Sequence, residues 1–79
     1  MTATPQAGAV AVNSSLIATV SYDADQWVLQ LGLCDGAIYR YFDVPAAICD
    51  QLLAAESKGG YFNREIRDCF RYALVRRPK

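Results

Sequence analysis

The sequence predicts an α+β domain. Three antiparallel strands form a meander, a helix packs on one face, and a short helical turn precedes a fourth, C-terminal strand. Three observations support this prediction. Apolar residues alternate with their neighbours in three successive runs, which is the pattern of half-buried strands. An Asp-Gly pair, typical of hairpin turns, separates the second run from the third. A proline then opens a run rich in Ala and Leu, which are strong helix formers.

The first two strands are predicted over residues 16 to 23 and 26 to 34, with an Asp-rich turn between them. In the first strand the better-buried face would hold Leu16, Ala18, Val20 and Tyr22. In the second strand one face would hold Trp27, Leu29, Leu31 and Leu33. Asp35 and Gly36 are predicted to be a two-residue connection to the third strand, residues 37 to 43.

The third strand contains the stretch YRYFDVP, residues 39 to 45. Because side chains alternate across a strand, Tyr39 and Tyr41 share one face while Arg40 and Phe42 share the other. The tyrosines either pack under the helix as core residues, or they face solvent as a platform on which bases stack. The core interpretation is preferred, since Pro45 begins the helix immediately and a small domain needs its aromatic residues.

The helix is predicted over residues 45 to 56, with Ile48, Leu52 and Ala55 on its apolar stripe. Gly59 or Gly60 would end it. Asn63 is predicted to cap a short helical turn through residue 67. The following segment, CFRYALVRR, fits either a strand or a helix. The strand is preferred because it would cover an edge of the sheet that a three-stranded meander leaves open.

Length and composition limit the classes of protein. The 79 residues suit one domain, expected over residues 14 to 77 after a flexible N-terminal arm of residues 1 to 13. No apolar run approaches the roughly 20 residues that span a bilayer, and the first residues lack the pattern of a secretory signal, so a cytoplasmic protein with no membrane contact is expected. The three cysteines are widely spaced and there is no histidine, which predicts neither a disulfide framework nor a metal site. No cofactor is expected.

The formal charge is zero, but it is divided unevenly along the chain. Residues 1 to 57 contain six acidic residues and one arginine, a net charge of −5, whereas residues 58 to 79 contain seven basic and two acidic residues, a net charge of +5. Such asymmetry is typical of a surface that meets phosphates or an acidic partner. The charge asymmetry is explained equally well if the basic residues only form the solvent-exposed face of the C-terminal element.

The motifs taken together resemble those of the KTSC domain family, a small module found at the C-terminus of some lysyl-tRNA synthetases and as a stand-alone bacterial protein. The resemblance rests on the paired Ser14 and Ser15, the leucines spaced by two before Gly36, YRYFDVP, and AESKGGYFNREIR at residues 55 to 67. It covers about residues 14 to 70. It implies a role in RNA binding, and its motifs correspond here to Tyr39, Tyr41, Ser57, Gly59, Tyr61, Phe62, Asn63, Ile66 and Arg67. The segment Cys69 to Tyr72 departs from the shorter, more polar ending expected of the family.

Catalysis has little support, because the chain has no histidine to act as a general base and no cysteine with a visible activating partner. We therefore expect a non-catalytic binding module. The first hypothesis is that it binds RNA or other single-stranded nucleic acid through basic and aromatic residues. The alternative is a protein-interaction module or homodimer that pairs through a strand edge or an aromatic patch. The candidate binding residues are Tyr39, Arg40, Tyr41, Lys58, Gly59, Tyr61, Asn63, Arg64, Arg67 and Arg71.

Overall fold

The computed structural model describes residues 9 to 79 and confirms the α+β class. Its strands are β1 (Val10–Ala11), β2 (Ile17–Asp23), β3 (Val28–Leu33), β4 (Ile38–Tyr41) and β5 (Tyr72–Arg76), and its helices are α1 (Ala46–Ala54) and α2 (Lys58–Glu65). The strands form one antiparallel sheet in the order of the chain, from β1 at one edge to β5 at the other. Both helices lie in the connection between β4 and β5, which are nevertheless neighbours in the sheet.

The core lies between one face of the sheet and the two helices. Val20 pairs with Leu31 and Leu29 pairs with Tyr41 across the strands, so these four side chains point to the same face. Buried residues of the helices and of the turn after α2 complete the cluster: Cys49, Leu52, Tyr61, Phe62 and Ile66. The predicted packing of a helix on one face of the meander is therefore present, with a second helix beside the first.

A β-bulge changes the predicted faces of the first strand. The register of β2 against β3 shifts between Ile17 and Thr19, and both Ile17 and Val20 are buried although an odd spacing separates them. A bulge inserts one extra residue and so reverses the alternation at that point. Consequently Ile17 is in the core, whereas Leu16 and Ala18, which were predicted to share the buried face, are only half-buried.

The connection between β3 and β4 has four residues, Cys34 to Ala37, and not the predicted two. The amide of Leu33 donates to Ala37 O at 2.8 Å and the amide of Gly36 donates to Leu33 O at 3.0 Å. Gly36 has φ of +97°, a conformation that glycine adopts without strain.

Trp27 lies in the turn between β2 and β3, with φ of 58°, and is 51% exposed. The prediction that it shares one face of the second strand with Leu29, Leu31 and Leu33 is therefore wrong, because the strand begins at Val28. Its carbonyl accepts a hydrogen bond from the amide of Val44 at 2.9 Å, so this turn supports the segment that leads into α1.

The two glycines predicted to end the first helix lie inside α2. α1 ends at Ala54, and Ser57 caps α2 by accepting a hydrogen bond from the amide of Gly60 at 3.1 Å. A Cβ atom at Gly60 would lie 2.9 Å from the Ser57 hydroxyl, and one at Gly59 would lie 3.3 Å from Leu16 Cβ. Close packing at the start of α2 thus explains the glycines, and Asn63, predicted as a cap, is inside the helix.

The predicted C-terminal strand is present as β5, which pairs with β4. At the other edge of the sheet, β1 pairs with Val20 and Thr19 of β2, although the sequence placed it in the flexible arm. Residues 1 to 8 of that predicted arm lie outside the described residues. In residues 9 to 79 no helix is long and apolar enough to cross a membrane.

Candidate binding groove

A groove lies where the sheet meets the end of α2, and its walls are largely aromatic. We call it the aromatic groove. It has a volume of about 420 Å³ and is lined by Leu16, Leu33, Tyr39, Tyr41, Phe62, Asn63, Arg67, Asp68 and Tyr72. This volume lies near the lower end of the roughly 300 to 1,000 Å³ typical of small-molecule pockets.

The strand register creates the aromatic part of the groove. Tyr41 of β4 pairs directly with Tyr72 of β5, and Tyr39 is their neighbour on the same face. The ring centroids are 6.4 Å apart for Tyr39 and Tyr41, 5.7 Å for Tyr39 and Tyr72, and 5.6 Å for Tyr41 and Tyr72. Phe62 of α2 meets the ring of Tyr41 edge to face at 5.7 Å. One helical residue therefore joins three strand tyrosines in a continuous aromatic surface.

The groove is open because the helices do not cover β5. All five residues of β5 are exposed, and Tyr72 retains 58% of its surface. Tyr41, under the helices, is 3% exposed, and Tyr39 is half-buried. The two interpretations of the tyrosine pair therefore both apply in part: Tyr41 is a core residue, while Tyr39 together with Tyr72 forms an accessible surface.

The polar groups of the groove include the hydroxyl of the buried Tyr41 and the exposed side chains of Arg67 and Asp68. Burial, with smaller contributions from Tyr39 and Tyr72, raises the pKa of Tyr41 to about 12, so this phenol is neutral at physiological pH. Arg67 contacts Asn63 through Nη1 and Oδ1 at 3.4 Å, a long contact. Asp68 follows Arg67 at the rim, and neither of the two ion pairs found in residues 9 to 79 involves either residue.

Four of the ten predicted binding residues line the groove, namely Tyr39, Tyr41, Asn63 and Arg67. The other six lie elsewhere. Arg40 is on the opposite face of the sheet, where its Nη2 and Nε donate to Gln30 Oε1 at 2.8 and 3.2 Å. Arg71 pairs with Asp43 at 2.9 Å and lies over the ring of Phe42.

The remaining predicted residues are held around α2 by contacts within the chain. Lys58 donates to Ala55 O at 2.9 Å, Gly59 packs on Leu16, and the Tyr61 hydroxyl donates to Gln51 Oε1 at 2.8 Å. Arg64 pairs with Glu65 at 3.1 Å and lies over the Tyr61 ring. Lys58 and Gly59 therefore lie outside the aromatic groove.

Sequence reasoning omitted three prominent residues of the groove, Phe62, Asp68 and Tyr72, from the candidate binding set. The signal for Tyr72 was available, since the predicted fourth strand beside β4 places one face of its residues next to Tyr39 and Tyr41. Phe62 was indicated by the family resemblance. Asp68 had no local signal, because its place at the rim depends on how the turn after α2 packs against the sheet.

The cysteines show no activated arrangement. Burial, with a smaller contribution from Asp50, raises the pKa of the Cys49 thiol, which disfavours the reactive thiolate at neutral pH. Cys34 and Cys69 are exposed and unbonded to each other. Within residues 9 to 79, no three Cys, Asp or Glu side chains converge in a way that could hold a metal ion.

The fold and groove define a small α+β domain with helices on one face of a meander and an aromatic opening at one edge. The family model of the KTSC domain matches residues 13 to 72, and the chain belongs to the KTSC domain family. The match reaches only the first residue of β5, so the rest of this strand lies beyond it.

Individual relatives agree with this assignment. A protein of Tsukamurella paurometabola is 42% identical over 60 residues, which cover 76% of this chain and 90% of the relative. A lysine–tRNA ligase of Nostoc sp. is 38% identical over 58 residues, 73% of this chain but 10% of the ligase. The crystal structure of a KTSC domain protein from Yersinia pestis has a TM-score of 0.83 at 28% identity, covering 85% of this chain and 94% of that one.

Proposed function

We propose that the protein is a non-catalytic module that binds single-stranded RNA in the aromatic groove. The main support for this proposal is that three tyrosines and one phenylalanine meet at an edge of the sheet that the helices leave uncovered. Aromatic side chains on an open sheet stack with unpaired bases, and each stacked base contributes about 1 to 3 kcal/mol. The similarity to a lysine–tRNA ligase, an enzyme named for an RNA, supports RNA as the nucleic acid.

The distribution of basic groups also supports this proposal. Arg67 lies at the groove. Arg76, Arg77 and Lys79 are exposed in β5 or directly after it. In contrast, Arg64 and Arg71 are each engaged with a carboxylate. We therefore expect the RNA backbone to contact Arg67 and the end of β5, and not the opposite face of the sheet.

The test measures, by fluorescence anisotropy, the affinity of the whole chain for a labelled single-stranded RNA that is rich in uridine but also contains the other bases. Tyr72→Ala is expected to weaken binding by roughly 5- to 150-fold, the loss of one stacked base. Trp27→Ala is the matched control, because Trp27 is similarly exposed but does not line the aromatic groove. Equal effects of the two substitutions, or no binding at low salt, would contradict the proposal.

A second pair of variants tests the electrostatic part. Arg67→Ala should weaken binding and reduce its dependence on salt, because a lost phosphate contact releases fewer counterions. Arg64→Ala removes the same charge three residues earlier, within α2, at a residue that pairs with Glu65. It should change the affinity much less. A salt dependence that is identical in both variants would argue against a phosphate contact at Arg67.

We also propose a second function, protein interaction through the free edge of β5. This strand exposes Leu74 and Val75 at 46% and 48%, and its outer edge pairs with no other strand of the described chain. Unprotected edges of this kind add strands from other chains. Light scattering of the purified protein, compared with Val75→Lys, tests self-association. A monomer at millimolar concentration would exclude the homodimer.

A further inference from the structure

The Tyr41 hydroxyl differs from those of the half-buried Tyr22 and the buried Tyr61. The Tyr22 hydroxyl donates to Val44 O and the Tyr61 hydroxyl donates to Gln51 Oε1, whereas the Tyr41 hydroxyl makes no hydrogen bond within residues 9 to 79. No fully buried side-chain oxygen or nitrogen in the described part of the chain lacks a partner. The Tyr41 hydroxyl must therefore be reachable, and Tyr41 lines the aromatic groove although the residue is 97% buried. A polar atom on a core residue is thus presented to whatever occupies the groove.

Asp68 presents a complementary group at the same groove. Its carboxylate has no ion-pair partner in the described structure, and it lines the groove together with Tyr41 and the exposed ring of Tyr72. Arg67 lowers the pKa of the Tyr41 hydroxyl and Asp68, with a smaller effect, raises it, so both charged side chains of the groove are within electrostatic reach of this hydroxyl. The groove therefore combines a neutral hydroxyl, a free carboxylate and aromatic walls.

Resting on the RNA-binding function proposed above, we propose that the aromatic groove selects guanine. The base stacks on Tyr39 and Tyr72, the Asp68 carboxylate accepts hydrogen bonds from the N1–H and N2 amino groups, and the Tyr41 hydroxyl donates to the O6 oxygen.

The chemistry of the bases favours guanine over the other three. A carboxylate accepts hydrogen bonds only, and it can accept two from one base when that base offers two adjacent donors. The Watson–Crick edge of guanine offers such a pair and places an acceptor beside it. Adenine and cytosine each offer one amino donor next to a ring nitrogen acceptor, and uracil places carbonyl oxygens on both sides of its single donor. These acceptors would face the Asp68 carboxylate and be repelled.

The experiment compares uridine 9-mers that carry guanine, inosine or adenine at the central position, using anisotropy at fixed salt. Inosine retains O6 and N1–H but lacks the N2 amino group. The expected order of affinity is guanine, then inosine, then adenine, with guanine preferred over adenine by roughly 5- to 150-fold, the discrimination given by one bidentate contact. In Asp68→Asn this preference should fall at least about fivefold, while the affinity for the all-uridine 9-mer changes little.

Two controls isolate the proposed contacts. Asp50→Asn makes the same chemical change on the exposed surface of α1, and Tyr61→Phe removes a hydroxyl outside the groove. Both should preserve the guanine preference, whereas Tyr41→Phe should reduce it. Because the base series is measured on the unaltered protein, the result does not depend on the folding of any variant.

Two results would overturn the inference in distinguishable ways. Equal binding of the guanine, inosine and adenine 9-mers, with binding still weakened by Tyr72→Ala, would refute base selection and leave RNA binding in place. Absence of binding to every 9-mer at low salt would refute both the selection and the RNA-binding function.

Discussion

Replacing a single tyrosine by phenylalanine should have very different consequences at positions 22 and 41. The Tyr22 hydroxyl donates to the carbonyl of Val44, a residue with no exposed surface, so Tyr22→Phe leaves a buried acceptor without a partner. Such a group costs about 1 to 3 kcal/mol. The Tyr41 hydroxyl makes no hydrogen bond that Tyr41→Phe would remove, and the packing of the ring against Phe62 is retained in this variant. Tyr41→Phe should therefore change the free energy of unfolding by less than about 0.5 kcal/mol.

Urea unfolding monitored by circular dichroism measures the difference. With a slope of about 1 to 2 kcal/mol per molar urea for a small domain, Tyr22→Phe should lower the midpoint by about 1 M. Tyr41→Phe should lower it by no more than about 0.5 M by the same slope. A loss of more than about 1 kcal/mol in Tyr41→Phe would mean that its hydroxyl already holds a structural hydrogen bond. The Tyr41 hydroxyl would then not be free to bind a ligand in the groove.

Three further predictions concern the core, the pH range and one turn. Leu52→Ala should lower the free energy of unfolding by about 2 to 5 kcal/mol, because Leu52 is fully buried. Leu53→Ala, at a neighbouring exposed position, should lower it by less than about 1 kcal/mol. The urea midpoints of the two variants measure this difference. The raised pKa of Tyr41, about 12 against an ordinary value of 10.0, means that the folded state holds the proton more tightly. The protonated Tyr41 side chain therefore contributes fully to stability below about pH 10, and this contribution is lost as the pH rises through about 12. Unfolding, measured by circular dichroism, should accompany the rise in phenolate absorbance. Tyr41→Phe should weaken the dependence of stability on pH. Gly36→Ala should cost about 1 to 2 kcal/mol, since φ is +97°, and an unchanged thermal midpoint would contradict this.

The elements of the fold that depend on local pattern were predictable from the sequence. Alternation identified the three meander strands, and Pro45 with the following Ala and Leu residues identified α1. The preference for a C-terminal strand was correct because an open edge beside β4 favours a further strand. The predictions of the meander strands and of α1 use only the nearest neighbours of each residue in the chain.

The predictions that failed depend on contacts between distant residues. Gly59 and Gly60 look like a helix ending in the sequence, but their lack of side chains allows α2 to start close to Leu16 and Ser57. The bulge near Ile17 follows from pairing with β3 and has no local signal. The groove was only half predicted for the same reason: Tyr39 and Tyr41 are a visible motif, whereas Asp68 and Tyr72 reach them only through the turn after α2 and the β4 to β5 pairing.

The weak attachment of β5 affects how the groove can be observed. This strand has five exposed residues, is held mainly by its pairing with β4, and carries Tyr72. Segments with few buried contacts open locally at a much lower free energy than the whole domain unfolds. Amide protons of residues 72 to 76 should accordingly exchange with solvent much faster than those of β3. A molecule that bridges Tyr72 to Tyr39 would hold the strand closed and slow this exchange, so deuterium uptake at β5 would report an occupant whose identity is not known in advance.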